Sequence, residues 1–220
     1  MSAVDALFEK TRVMLVMQDE MNSRVDADWR EREREWYRAI WIECAELMDH
    51  YGGWKWWKHT TPDLEQVMLE IVDIWHFGLS LRLEAAGDFD VAARGIVDEW
   101  QAAPSGGEVL AEVERLAAAA LTERRFAVDA VARLVVLCGH DLDRLYRAYV
   151  AKNVLNFFRQ NHGYRTGEYV KTWHGREDNE VLAELLGRLD SNDARFRDAV
   201  YDALEAAYAG VVTGAVADHG

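Results

Sequence analysis

Glu43 and Glu46 stand three residues apart, as do Glu70 and Asp73. On a helix that spacing sets two carboxylates side by side on one face. Each pair lies in an apolar run. Ile42, Cys44, Ala45, Leu47 and Met48 surround the first, and Leu69, Ile71, Val72 and Ile74 surround the second. Such neighbours predict acids withdrawn from water, and an unpaired buried carboxylate costs on the order of several kcal/mol. Four of them facing one another therefore need cations, protons or basic partners. All-oxygen ligation suits magnesium or manganese, which keep waters and also coordinate phosphates. Acid pairs at this spacing are also common on ordinary solvated faces. Asp73 and His76 share the same spacing and resemble half of a di-iron carboxylate motif. Glu46 and His50, four apart, do not supply its second half.

A second group is basic. Arg147, Lys152, Arg159, Arg165, Lys171 and Arg176 are opposed over that segment only by Glu168. Lys152, Asn156 and Arg159 form one helical stripe able to offer two cations and an amide to an oligophosphate. Tyr164 and Lys171 on the following loop could close over it. A solvated face with a basic loop is the other reading. Acids for a divalent cation together with Arg and Lys make the usual apparatus of phosphoryl transfer.

The elements that would position these groups read as helices. Apolar periodicity predicts a first helix from Val4 to about Met21, with Gln18 and Asn22 on its polar face. A second spans Trp36 to Tyr51 and stops at Gly52-Gly53. A third opens with Thr61 as N-cap, Pro62 at the first helical position and Asp63 in the first turn, and runs to about Ala86. The resulting hairpin brings the two acid pairs to similar depth. Trp54-Lys55-Trp56-Trp57 forms the loop between its arms, and the three tryptophans are either packing or a stacking platform. Residues 87–107 read as a loop or loosely packed insert. Helices follow over Val109–Ala120, Ala127–Cys138 and Asp141–Phe158, then an exposed loop over Asn161–Thr172. The last helices lie near Asp178–Leu189 and Ala194–Ala209.

The chain is expected to form a single all-α domain over 1–220, with half of its 220 residues hydrophobic and only two prolines. A net charge of −14 argues against nucleic acid as a partner. Charges interrupt every apolar run before the roughly 20 residues needed to span a bilayer, so no membrane role is expected. The opening Met1-Ser2-Ala3-Val4-Asp5 does not read as a secretory leader. Cys44 and Cys138 read as buried thiols. The cytoplasm fits these features.

Three stretches, WIECAELMDHYGGWKWWKHT, LEIVDIWHFGLSL and AYVAKNVLNFFRQNHGYRTGEYVKTWHGREDNEVLAELL, resemble the signature segments of the dimeric all-α dUTPases. The resemblance covers the first helix loosely, the hairpin and the final third closely, and hardly touches the variable insert at about 87–130. It implies an all-α bundle assembled as a homodimer, hydrolysing dUTP and dUDP to dUMP with magnesium. By position, Glu43, Glu46, Glu70 and Asp73 match the metal ligands, with Glu46 also activating the attacking water. Lys152, Asn156, Arg159, Tyr164 and Lys171 match phosphate-contacting positions. Gln18, Asn22, Trp54, His76 and Asn179 match positions around the base and sugar. Amides suit uracil because they both donate and accept. His76 also reads as a core histidine, and a pyrophosphatase for dCTP or a modified pyrimidine, or a non-catalytic nucleotide-binding regulator, would retain much of this pattern.

Overall fold

The computed structural model describes residues 3–191, 193 and 195–217, with side chains as far as Val211. Met1 and Ser2, and Ala194 at the expected start of the last helix, lie outside them. Nine α-helices and one two-stranded ribbon account for most of the described residues, as the all-α expectation required. The chain divides into two compact units, residues 1–149 and 150–220.

The first unit contains α1 (Ala3–Val25), α2 (Trp36–Tyr51), α3 (Leu64–Ala86), α4 (Phe89–Gln101), α5 (Val109–Ala118), α6 (Val128–Leu137) and the start of α7 (Leu142–Asn161). Helix α2 packs extensively along α3. Gly52 ends α2 at φ 76°, and a Cβ there would lie 2.2 Å from the Thr60 hydroxyl oxygen, which accepts the Gly53 N–H at 3.3 Å. The loop can thus close only on glycine.

The start of α3 differs from expectation. Asp63, not Thr61, is the N-cap: its carboxylate accepts the Gln66 N–H at 3.1 Å, while its own N–H donates to the His50 carbonyl at 3.0 Å. Pro62 disfavours helical geometry at Thr61, so the helix begins beyond the proline. The insert over 87–107 is also more ordered than its composition suggests. Gly87 closes α3, and the Asp88 carboxylate accepts the N–H groups of Asp90 and Val91, both at 2.9 Å, to open α4. Ala92, Ala93, Ile96 and Val97 form its buried stripe. Two alanines in that stripe weaken the apolar signal, and the capping acid reads like a loop residue.

Ile71, Ile74, Trp75 and Leu79 of α3 are fully buried, and Trp75 meets Trp100 and Phe126 edge-on at 5.7 and 5.6 Å. Gly78 leaves room for Phe126, since a Cβ would sit 2.4 Å from two of its ring carbons. Gly78→Ala would gain about 1 kcal/mol of helix propensity. Displacing a fully buried ring costs about 1–3 kcal/mol. We expect net destabilisation, read as a lower denaturation midpoint with unchanged m; a stabilised variant would mean that the ring rearranges freely.

In the second unit the remainder of α7 leads to a short 3-10 turn at Tyr164–Thr166, strands β1 (Thr172–Trp173) and β2 (Arg176–Glu177), and helices α8 (Asp178–Leu186) and α9 (Phe196–Ala217). The expected loop over 161–172 is largely exposed, but a β-ribbon follows it. His174 and Gly175 both take positive φ, 50° and 81°, which suits a two-residue hairpin turn. Phe158 is the hub of the core, stacked on His162 at 4.0 Å and edge-on to Trp173 and Tyr208 at 5.8 and 5.4 Å.

Candidate metal and nucleotide site

The hairpin of α2 and α3 brings oxygen atoms of Glu43, Glu46 and Glu70 to within 4.8 Å of one another. Asp73 is outside this group of three, yet its charge acts on Glu43. Glu43 is pushed up to about 7, first by burial, then by the charges of Asp73, Glu46 and Glu70, and by a hydrogen bond with Glu70. A carboxyl that keeps its proton near neutrality marks a place where negative charge is crowded.

Burial across the acids is uneven, which corrects the expectation that all are withdrawn from water. Glu70 is buried, Glu43 and Asp73 are half-buried, and Glu46 is exposed. Ile42 and Ala45 are exposed as well, because this face of α2 is not covered by its own unit. His50, which the spacing argument set aside, reaches the cluster, with Nε2 3.5 Å from Glu70 Oε1. Its position one turn after Glu46 on α2 is the signal that could have found it.

Beside the acids on α3 lies a buried polar network. Gln18 Nε2 donates to Asn22 Oδ1 at 3.0 Å and to the Ser80 hydroxyl at 3.1 Å, and Asn22 Nδ2 donates to Ser80 at 2.9 Å. Gln18 Oε1 accepts from Tyr149 at 3.0 Å and faces His76 Nδ1 at 2.8 Å, so that nitrogen is the donor. The His76 ring also lies 4.3 Å from that of Tyr149. Both amides predicted near a base are therefore held in fixed orientation by protein partners. Ser80 and Tyr149 were missed by sequence reasoning. Ser80 stands one turn beyond His76, whereas Tyr149 gives no local signal. His76 bonds Gln18 and is not among the three residues whose ligand atoms converge, so the di-iron resemblance gains nothing from it.

The tryptophans of the hairpin loop are not core. Trp54, Trp56 and Trp57 are 40%, 88% and 62% exposed, and they meet edge-on in sequence, Trp54 with Trp57 and Trp57 with Trp56. Trp54 Nε1 donates to Asp49 at 3.2 Å, and Lys55 Nζ lies 4.7 Å above its ring.

In the second unit Lys152, Asn156 and Arg159 are half-buried on α7, while Tyr164, Lys171 and Asn179 are exposed. Arg159 is already engaged: its Nε and one terminal nitrogen donate to the two oxygens of Asp178 at 2.8 and 2.7 Å. Lys171 Nζ lies 3.3 Å from Glu177. Both cysteines are buried free thiols, pushed up to about 12 at Cys44 and about 11 at Cys138, chiefly by burial.

An all-α chain whose α2–α3 hairpin displays converging carboxylates defines a class, helical proteins with a candidate divalent-cation centre. The particular family follows from comparison. The chain belongs to the dimeric all-α dUTPase family, whose sequence model, described as dUTPase, matches residues 10–164. That span holds every expected metal, phosphate, base or sugar residue except Lys171 and Asn179. No curated protein matches the chain. Membership identifies a hydrolase domain and supports dUTP diphosphatase activity in general terms. Among the described residues no helix is long and apolar enough to cross a membrane.

Proposed function

We propose that the protein hydrolyses dUTP to dUMP and pyrophosphate, and dUDP to dUMP and phosphate, with magnesium, as a cytoplasmic homodimer. The observation that carries this reading is the convergence of Glu43, Glu46 and Glu70 to within 4.8 Å inside a chain of the dUTPase family. The donor set fits a hard divalent cation: it is all oxygen, it carries excess negative charge, and Glu43 retains a proton that a cation would displace. Glu43, Glu46, Glu70 and Asp73 would hold magnesium, with manganese as a substitute. When bound, the ion supplies Lewis acidity towards water and neutralises phosphate charge.

The remaining roles belong to the chain. Glu46, the exposed member, takes the proton from water as its oxygen attacks the β-phosphorus. The bond from that phosphorus to the α-β bridging oxygen breaks, and dUMP leaves with the bridging oxygen. Lys152, Asn156, Arg159, Tyr164 and Lys171 bind the phosphate oxygens. Gln18 and Asn22, with His76, Trp54 and Asn179, form the surroundings of uracil and deoxyribose. Because Gln18 is oriented by Tyr149, Ser80 and His76, its amide cannot flip to suit cytosine without breaking several bonds.

Product formation from dUTP, dUDP, dCTP, dTTP and UTP, with and without magnesium, tests the reading. Magnesium-dependent release of dUMP from dUTP and dUDP alone is the expected result. Turnover centred on another base would retain the chemistry and overturn the base pocket. No turnover of any nucleotide would leave a nucleotide-binding regulator.

A further inference from the structure

The second unit contains a buried carboxylate that the reading above does not use. Asp178 is fully buried at the first position of α8. It accepts two hydrogen bonds from the Arg159 guanidinium, at 2.8 and 2.7 Å, and a third from the Tyr169 hydroxyl at 2.7 Å. Its own backbone N–H donates to the Lys171 carbonyl at 3.0 Å. The Arg159 guanidinium lies 5.9 Å from the centre of the Tyr164 ring, and Tyr164 lies 6.0 Å from Tyr169. One residue therefore touches Arg159 and Tyr169 through its carboxylate, meets Lys171 through its backbone N–H, and reaches Tyr164 by way of Arg159 and Tyr169. These are three of the five positions assigned to phosphate.

Resting on the dUTPase reading, we infer that Asp178 is a positioning residue for the triphosphate: it fixes the Arg159 guanidinium and ties down the Tyr164–Lys171 loop. A free arginine side chain loses rotamer freedom when it is immobilised. The fork to Asp178 meets that cost in the folded protein before substrate arrives. A guanidinium bears five N–H donors, and Nε with one terminal nitrogen engages only some of them. The other terminal nitrogen is held in a set orientation by the same fork, and with it donors suited to a phosphate oxygen. The carboxylate withdraws some positive charge, but it leaves the plane and direction of the fork fixed.

The test pairs dUTP kinetics with calorimetric binding of two probes, inorganic triphosphate and deoxyuridine. Asp178→Asn is expected to raise KM for dUTP about tenfold or more, with kcat changed less than about threefold. It should weaken triphosphate binding in step and leave deoxyuridine binding unchanged. Asp178→Glu, which restores the charge, should recover part of the loss. Because the two side chains act through one contact, adding either change to Arg159→Lys should cost little more than Arg159→Lys alone. If Asp178→Asn does not fold, Asp178→Glu carries the same cycle. Losses that multiply in the double variant, deoxyuridine binding that falls in parallel with triphosphate, or a wild type that binds no triphosphate would overturn the inference. A wild type that binds triphosphate but turns over no dUTP would instead sink the activity, leaving the role of Asp178 to be decided by the binding cycle.

Discussion

Glu46→Gln is expected to lower kcat for dUTP by about a thousandfold, within the usual range for losing a general base, while leaving the fold intact. Glu46 is the exposed acid of the cluster, so an amide there creates no cavity and buries no new polar group. Single-turnover kinetics beside a thermal melt would check both halves. Near-normal turnover would assign the proton to another group, with His50 the nearest candidate on α2.

The same cluster makes a contrasting prediction about Glu43. Burial and three neighbouring carboxyls raise it to about 7. An acid raised in the folded state binds a proton that the unfolded chain has lost, so stability falls as pH rises from the unfolded value of about 4.3 towards 7. Glu43→Gln removes that repulsion. At pH 8 without magnesium, the variant should be more stable by about 1 kcal/mol once solvent screening is allowed for, or about 3 °C in Tm. The advantage should vanish near pH 4, and added magnesium should stabilise the wild type but not the variant. A Glu43→Gln protein less stable at pH 8 would mean that the carboxyl makes a structural bond its amide cannot replace.

Much of the positioning scaffold was legible because helical periodicity and glycine punctuation are local. The limits of α2 agree to the residue, since Gly52 and Gly53 admit only one stopping point, and the two acid pairs follow from spacing alone. Helix α4 was hidden by small buried residues and by a capping aspartate that reads as a loop acid. The His174-Gly175 turn was a local signal that went unused. What the sequence could not display was pairing across distance. Gln18 finds Ser80 and Tyr149, and Arg159 finds Asp178 nineteen positions away, through tertiary packing with no periodic trace. The uneven burial of the acids is of the same kind, because exposure of Glu46 depends on which face of α2 its unit leaves uncovered.

Long-range pairing of that sort produces the largest expected change in stability, at Arg159→Met. Asp178 has no solvent exposure, and Arg159 retains 15% of its side-chain area. Burial opposes the charged form of Asp178, but the bonds from Arg159 and Tyr169 outweigh it and hold the carboxyl below its ordinary range. A group lowered in the folded state contributes stability that is present above its unfolded pKa and lost as pH falls through the folded value. Methionine preserves much of the stem volume but strands a buried carboxylate, a change that costs about 3–5 kcal/mol at neutral pH. With its partner gone, burial raises the stranded carboxyl above its ordinary range, so it takes up a proton as pH falls from neutrality, and the variant should close on the wild type as the latter loses its ion pair. Denaturant titrations of both proteins between pH 7 and pH 3 would show the gap narrowing. A gap that stays constant across that range would attribute the loss to packing around the guanidinium, and the charge of Asp178 would then play no part in holding α7 to α8.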